Sequence, residues 1–401
     1  MSDTATKTVQ KGTESDKHTL QANGGWGDLK IPPQSRAERV SSTAVDDFPP
    51  VTGREHEWMH TPVSRLTALT AGTLAGGEYD VSYEPTEGVS VSWVGRDDPR
   101  VGSAGKPEDR ASANAWSAFE KALVITIDGE VSGEFTLTRQ GFGEAPHAAH
   151  VIIEAKPFGK AVLVVRSVGP AQLSENVEII AGESSQLTVV SDQEWDPDAL
   201  HLASQFSRVE KDAHYKHVLA SLGGSVVRVN PSAHLTGAGS DVEMLGVYFA
   251  DAPQHLEQQV FVYHDAPHCR SRVTYKGALN GAGARTVWVG DVLIGKRGIG
   301  TDSYEQNRNL VLSQGARADS EPNLEIEVGD IIGAGHASAT GRFDDEQLFY
   351  LQSRGIAKDE AMRLVVRGFL VDVVQKIGAP TLEAHLIEHI EDELTKAYAT
   401  A

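Results

Sequence analysis

The tightest group of potential metal ligands in this chain is His264, His268 and Cys269, all within the run HDAPHC. A thiolate beside imidazoles could bind iron or zinc. Spacing works against it, because residues four apart in an extended strand stand roughly 13 Å from one another at about 3.3 Å per residue. Only a turn at Asp265-Ala266-Pro267 would bring the two histidines together. The plainer reading of Cys269 is a buried small apolar residue beside that turn, with a metal role as its secondary reading. His336 is the other candidate ligand, set in the small-residue run Gly333 to Gly341. Small neighbours allow close backbone approach and leave the imidazole accessible, and a neutral imidazole suits iron. On its own, a single His in a Gly-rich loop reads as structural.

Other chemistries find less support. Neither Gly295-Lys296-Arg297-Gly298 nor Gly333-Ala334-Gly335 has the Gly-Lys followed by Ser or Thr that a phosphate loop needs, so the chain is not expected to hydrolyse ATP. Neither a Gly-x-Ser-x-Gly elbow nor a metal-binding pair of helical histidines is read, which leaves a hydrolase unsupported. Asp344, Asp345 and Glu346 are adjacent carboxylates, best explained as the start of a helix, where they cap it and meet the positive end of its dipole.

The elements that would position these residues change character along the chain. Residues 1 to about 30 are polar and aperiodic and are expected to be a disordered tail. They lack the apolar run of a signal peptide, so a cytoplasmic location is expected. Residues 31–123 read as a helix-containing N-terminal domain, with a helix starting near Pro107-Glu108-Asp109 and carrying Ala111, Ala115, Trp116 and Phe119 at helical spacing. From 124 to 343, short β-branched runs separated by Gly, Ser, Asn and Asp follow one another closely, such as Ala161 to Val165, Leu245 to Phe249 and Gln259 to Tyr263. Such strands without intervening helices argue for a sandwich, a barrel or a β-helix. Periodicity does not choose among them, and no repeat of fixed length is visible.

Residues 344–401 read as a helical domain. One helix is expected to stop at Gly355, a second runs from about Lys358 to Ile377, and after Pro380 come Leu382, Leu386, Ile390 and Leu394 at every fourth position. The second helix is apolar around most of its circumference, so it must be buried on two sides. From pattern alone, these helices are expected to bury each other and nothing else.

Bulk properties set outer limits. The chain has 401 residues, a formal charge of -20 and one cysteine. The negative balance disfavours nucleic acid or an anionic membrane as partner, since both call for clustered Lys and Arg. One cysteine excludes an intramolecular disulfide and a zinc site built on two or more thiolates.

The segments VEMLGVYFA, HDAPHCRSRVTYKG, DSYEQNRNLVLS, PNLEIEVGD, HASATG, DDEQLFYLQSRGI and RLVVRGF occur in that order between about Val242 and Phe369. Together they resemble the core of the SufB/SufD family of iron–sulfur cluster assembly scaffolds, and NRNLVLS and HASATG are most like SufD. EHEWMHTPVSRL, with Glu57, Trp58, Thr61 and Pro62, is similar to the family's N-terminal region. The resemblance implies a mainly β fold, a right-handed parallel β-helix flanked by N-terminal and C-terminal helical domains. It implies a non-catalytic scaffold that pairs with a SufB-like subunit and docks a SufC-like ABC-type ATPase through its C-terminal helices. Leu348, Phe349, Tyr350, Arg354, Arg367 and Phe369 are then candidate docking residues. His336 corresponds to a histidine at the SufB–SufD interface, a candidate ligand for transient iron or a nascent cluster. Some relatives have a Cys two residues before it, where this chain has Ala334, so a thiolate there would come from SufB. The resemblance also raises a reduced flavin in the complex. Two alternatives stand beside it: a secreted-type β-helix carbohydrate-active enzyme, and a homodimeric scaffold without SufB.

Overall fold

The structure is a computed structural model that describes residues 39–342 and 345–399. The expected polar tail at residues 1–30 and the cap at Asp344 lie outside the described residues. Eighteen strands are present among the described residues: β1 (Asp80–Tyr83), β2 (Val89–Gly95), β3 (Lys121–Ile127), β4 (Glu130–Gln140), β5 (Pro146–Ala155), β6 (Lys160–Gly169), β7 (Gln172–Ala181), β8 (Gln186–Trp195), β9 (Leu200–Val209), β10 (His214–Ser221), β11 (Val226–Leu235), β12 (Asp241–Ala250), β13 (His255–His264), β14 (Arg270–Leu279), β15 (Arg285–Ile294), β16 (Asp302–Val311), β17 (Arg317–Ile326) and β18 (Gly333–Arg342). The helices are α1 (Thr67–Thr70), α2 (Arg110–Ala118), α3 (Asp345–Ser353), α4 (Lys358–Val374) and α5 (Pro380–Ala399).

Successive strands alternate between two sheets. The even-numbered strands from β4 to β18 stack in parallel in one sheet, headed by antiparallel β1, and the odd-numbered strands from β3 to β17 form the other, headed by antiparallel β2. This is the parallel β-helix expected from the resemblance. Its rungs lengthen along the chain: Lys160 to Gln186 spans 26 residues, whereas Arg270 to Asp302 spans 32.

Alternation along each strand supplies three apolar layers, because both sheets are covered on both faces. Between the sheets lie residues such as Val151, Ile153, Val177, Ile179, Val229, Val260, Met244 and Trp288. The intervening residues face outward. On the odd-numbered sheet, Val124, Ile152 and Ile180 meet Trp116 and Phe119 at the α2 end, while Ala148, Leu202 and Val226 meet Trp58, Leu66 and Leu69. On the even-numbered sheet, Val164, Val190, Val218, Leu245 and Val247 meet Val366, Leu370 and Val373 of α4 and Leu382, Leu386 and Ile390 of α5. The C-terminal helices therefore do not bury only each other. The outer sheet face is itself apolar and needs cover, so α4 packs on strands β12 and β14 as well as on α5.

Local signals hold at the helix ends. Asp109 is the N-cap of α2 and accepts from Ser112 N at 2.8 Å, with Ser112 completing a capping box. Gly355 adopts φ +87°, a conformation that costs glycine little, and Ile356 N bonds Leu351 O at 3.3 Å to close α3.

The N-terminal segment is pinned by a buried arginine. Arg228 donates to Asp109 Oδ2 at 3.0 Å and Glu257 Oε1 at 3.1 Å, reaches the Glu57 carbonyl, and lies 3.9 Å from the Trp58 ring centroid. Thr61 Oγ1 donates to the same Glu257. The EHEWMHT segment thus acts as a clasp on the odd-numbered sheet.

Two glycines are required by close approach. Gly246 pairs with Tyr275, and Tyr248 pairs with Gly277 across β12 and β14. A Cβ on Gly277 would sit 1.7 Å from Tyr248 Cε2, and one on Gly246 would sit 2.0 Å from Tyr275 Cδ1. Gly277→Ala is expected to lose about 1–3 kcal/mol in denaturant unfolding, through overpacking.

His217 gives a pH signature. It is buried between the sheets, bonded to Gln205 Oε1 at 2.7 Å, and burial pushes its pKa down from 6.5 to about 4. Below pH 6.5 the unfolded chain takes up a proton that the folded chain refuses, so this group's contribution to stability falls as pH drops from 6.5 towards 4. Unfolding of His217→Gln and the parent should differ by a constant amount above pH 7. The variant should then gain, relative to the parent, up to about 1.4 kcal/mol per pH unit through that window. A pH-independent difference would contradict this placement of the imidazole.

Candidate functional site

The last rung differs from those before it. Most of β18 is exposed, β17 is half-buried, and each is the terminal strand of its sheet, with one backbone edge unpaired among the described residues. His336 lies on β18. The expected Gly-rich loop is in fact a strand, because Gly333, Ala334 and Gly335 continue the parallel register set by Asp302, Ser303 and Tyr304.

That register places His336 opposite Glu305 of β16. His336 Nδ1 is 3.9 Å from Glu305 Oε1, and the imidazole is 43% exposed while the carboxyl is 1% exposed. Neither oxygen of Glu305 has a hydrogen-bond partner. Burial, with a further push from Asp291, raises Glu305 to about 8. A buried carboxyl without partners beside an accessible imidazole offers one oxygen and one nitrogen to an incoming cation, whose charge would offset the desolvation that keeps the acid neutral.

A hydrogen-bonded chain starts beside this pair. Ser338 Oγ on β18 donates to Ser320 Oγ at 2.8 Å, Ser320 Oγ to Asn307 Oδ1 at 2.8 Å, and Asn307 Nδ2 to Tyr248 Oη at 2.8 Å. Tyr248 Oη then donates to Asn309 Oδ1 at 2.7 Å. Asn307 and Asn309 of the NRNLVLS motif thus lead from the open end into the space between the sheets.

The other candidate ligands do not converge. The turn after His264 forms, but it sends the side chains apart. His264 is buried with Nε2 2.9 Å from Ser271 Oγ, whereas His268 is exposed with φ +58°. Cys269 is in the core, its Sγ 3.2 Å from Ser240 Oγ, and burial pushes the thiol up. Its surroundings are those of a buried small residue.

The docking candidates divide. On α3, Phe349 and Tyr350 are 73% and 56% exposed, Leu348 is half-buried, and the Arg354 guanidinium stands 5.0 Å from the Tyr350 ring centroid. On α4, Arg367 pairs with Glu391 of α5, and Phe369 is half-buried under Lys276 Nζ, 4.9 Å from its ring centroid. Those two tie the helices together and to β14, while α3 presents a free aromatic surface.

Sequence reasoning missed a pair of histidines. His385 and His389 sit one turn apart on α5, and with Glu194 of β8 they place ligand atoms within 4.8 Å of one another. The sequence reading passes over this helical histidine pair, which the fold sets beside a carboxylate. The signal was present as His-x-x-x-His in HLIEH, although Glu388 within it is exposed.

Fold and site together define a parallel β-helix clad in helices, capped by antiparallel strands at one end and open at the other beside a histidine–carboxyl pair. A family model described as "SUF system FeS cluster assembly, SufBD core domain" matches residues 136–369. The iron–sulfur cluster assembly SufBD family protein Mb1497 of Mycobacterium bovis is 46% identical over 370 residues, covering 90% of this chain and 93% of that protein. ML0594 of Mycobacterium leprae, of the same description, is 46% identical over 371 residues, covering 90% and 95%. A second Mycobacterium bovis protein of that description, Mb1496, is 30% identical over 201 residues, 50% of this chain but 24% of its own length. The chain belongs to the SufBD family of iron–sulfur cluster assembly proteins. Among the described residues, no helix is long and apolar enough to cross a membrane.

Proposed function

We propose that this chain is the SufD-like scaffold of a cytoplasmic complex, pairing with a SufB-like subunit and holding a SufC-like ATPase, without catalysing a reaction itself. The observation that carries this reading is the uncovered last rung. Unpaired backbone along β17 and β18 is a template for strands of another chain, and His336 with Glu305 stands beside it. The presence of two SufBD proteins of unlike length in Mycobacterium bovis supports a pairing between unlike chains. Transient iron or a nascent cluster would be cargo at that junction. His336 and Glu305 would supply ligands from this side, and the partner any thiolate, since Ala334 supplies none.

The exposed Phe349 and Tyr350 on α3 are the part of the helical unit best placed to receive the ATPase. Nucleotide-driven motion of the ATPase would reach the solenoid through the contact of α4 with β12 and β14. No residue of this chain is assigned to a reduced flavin.

The test is co-expression of the chain with SufB-like and SufC-like partners. A stable complex on size-exclusion chromatography is expected, and His336→Ala is expected to lower cluster yield by about tenfold or more while leaving the complex intact. Absence of any complex would overturn the scaffold reading, and unchanged yield would remove His336 from the site.

A further inference from the structure

A second group of ligands lies within the helix-covered outer layer of the even-numbered sheet, where α5 meets β8. Asp192 and Glu194 are two apart on β8 and so project from the same face as Val190, which packs in the helix-covered layer. His385 and His389 are four apart on α5, flanking the buried stripe of Leu382, Leu386 and Ile390. Strand and helix thereby bring two carboxylates to two imidazoles.

Glu194, His385 and His389 place ligand atoms within 4.8 Å of one another, and Asp192 approaches the group through His385. His385 Nε2 contacts Glu194 Oε1 directly, His389 Nδ1 is 3.5 Å from the same oxygen, and Asp192 Oδ2 is 3.7 Å from His385 Nε2. Four ligands at about 2.1 Å around a tetrahedral ion stand roughly 3.4 Å from one another, so small movements would close the site.

Two orphaned groups point the same way. Asp192 is fully buried, and neither of its oxygens has a hydrogen-bond partner. Its nearest cationic nitrogens are His385 Nε2 at 3.7 Å and Arg166 Nε at 3.5 Å, beyond hydrogen-bond length. His389 Nδ1 is likewise buried without one. Unpaired buried polar atoms are costly, and a cation would satisfy both at once. Neighbouring groups would hold these ligands in place: Arg166 Nε is 3.5 Å from Glu194 Oε1, and Glu393 Oε1 is 3.7 Å from His389 Nε2, with Lys396 at 2.6 Å from Glu393.

We propose that Asp192, Glu194, His385 and His389 bind one divalent first-row cation of the Zn²⁺ or Fe²⁺ class, which staples α5 to the solenoid. Imidazole with carboxylate suits those ions, and four protein ligands make the site closed and structural. Glu388 remains exposed, so the helix motif is not used as a catalytic base. The site is separate from His336: five strand spacings of about 4.8 Å lie between β8 and β18. It does not rest on the reading of the open rung, and its test requires no partner chain.

The full-length chain, without an affinity tag and stripped with chelator, is titrated with Zn²⁺ alone and separately with Co²⁺. One equivalent of Zn²⁺ retained through gel filtration, a visible ligand-field band from Co²⁺ and a higher Tm with Zn²⁺ are expected. His385→Gln/His389→Gln should lose all three with its circular dichroism unchanged, and His336→Ala should keep them. Absence of the Co²⁺ band in the unmodified chain would overturn the proposal whatever the variants do, as would equal Zn²⁺ retention by the double variant.

Discussion

Replacing Arg139 by Met is expected to cost about 3–5 kcal/mol of folding stability, because it leaves a carboxylate buried without its counter-ion. Arg139 Nη1 and Nη2 grip Glu175 at 2.5 and 3.0 Å between the sheets, and Nη2 also donates to Ser167 Oγ. Trp195 Nε1 donates to His201 Nδ1, so Nε2 of that ring is the donor to Glu175 at 2.9 Å. Burial alone would raise the Glu175 pKa, but Arg139 and His201 overcome it and hold the group well below the usual carboxylate range. A carboxyl depressed in this way contributes stability that is present above pH 4.5 and lost as acid protonates it. In the Met variant only the His201 hydrogen bond would oppose burial, so Glu175 would stay protonated to a higher pH and the loss of stability would grow as pH rises above the usual carboxylate range. The double variant Arg139→Met/Glu175→Gln should recover most of the loss in a denaturant double-mutant cycle. A single variant within about 1 kcal/mol of the parent would contradict the ion pair.

Leu370→Ala is expected to cost about 2–5 kcal/mol, but in one region only. Leu370 is fully buried where α4 meets the outer sheet face. Amide hydrogen exchange should rise through α4 and α5 and stay low in β5 to β13, since the inter-sheet core does not include this residue. Equal loss of protection in both regions would mean that helices and solenoid unfold as one unit. The two outcomes matter for function, because a helical layer that opens separately is the element able to move when a partner pulls on it.

Much of the architecture was legible. Closely spaced β-branched runs announced the strands, Asp109 announced α2, Gly355 the end of α3, and ordered motifs from Val242 onward named the family. The β-helix itself was not legible from periodicity, because rung length drifts from 26 to 32 residues and smears any fixed repeat. The helices gave their stripes but not their targets. A stripe states how wide a buried face is without stating what covers it, and Val190 or Val247 reads as sheet core whichever side it faces. His336 was singled out, yet its companion was not. Glu305 lies 31 residues away and becomes its neighbour only through the parallel register. In YEQN nothing distinguishes a buried acid from a solvated one. The α5 histidines were visible as a spacing, but without β8 beside them a helical His pair lacks the oxygen donors that give it meaning.

The two ends of the solenoid are unlike. At one, β1 and β2 run against the direction of the stack, and β1 is only four residues long; at the other, two ten-residue strands run with it. Head-to-tail stacking of identical copies would set ten-residue parallel edges against shorter antiparallel ones, an uneven match. That unevenness disfavours propagation of the rod, end on end, into fibres.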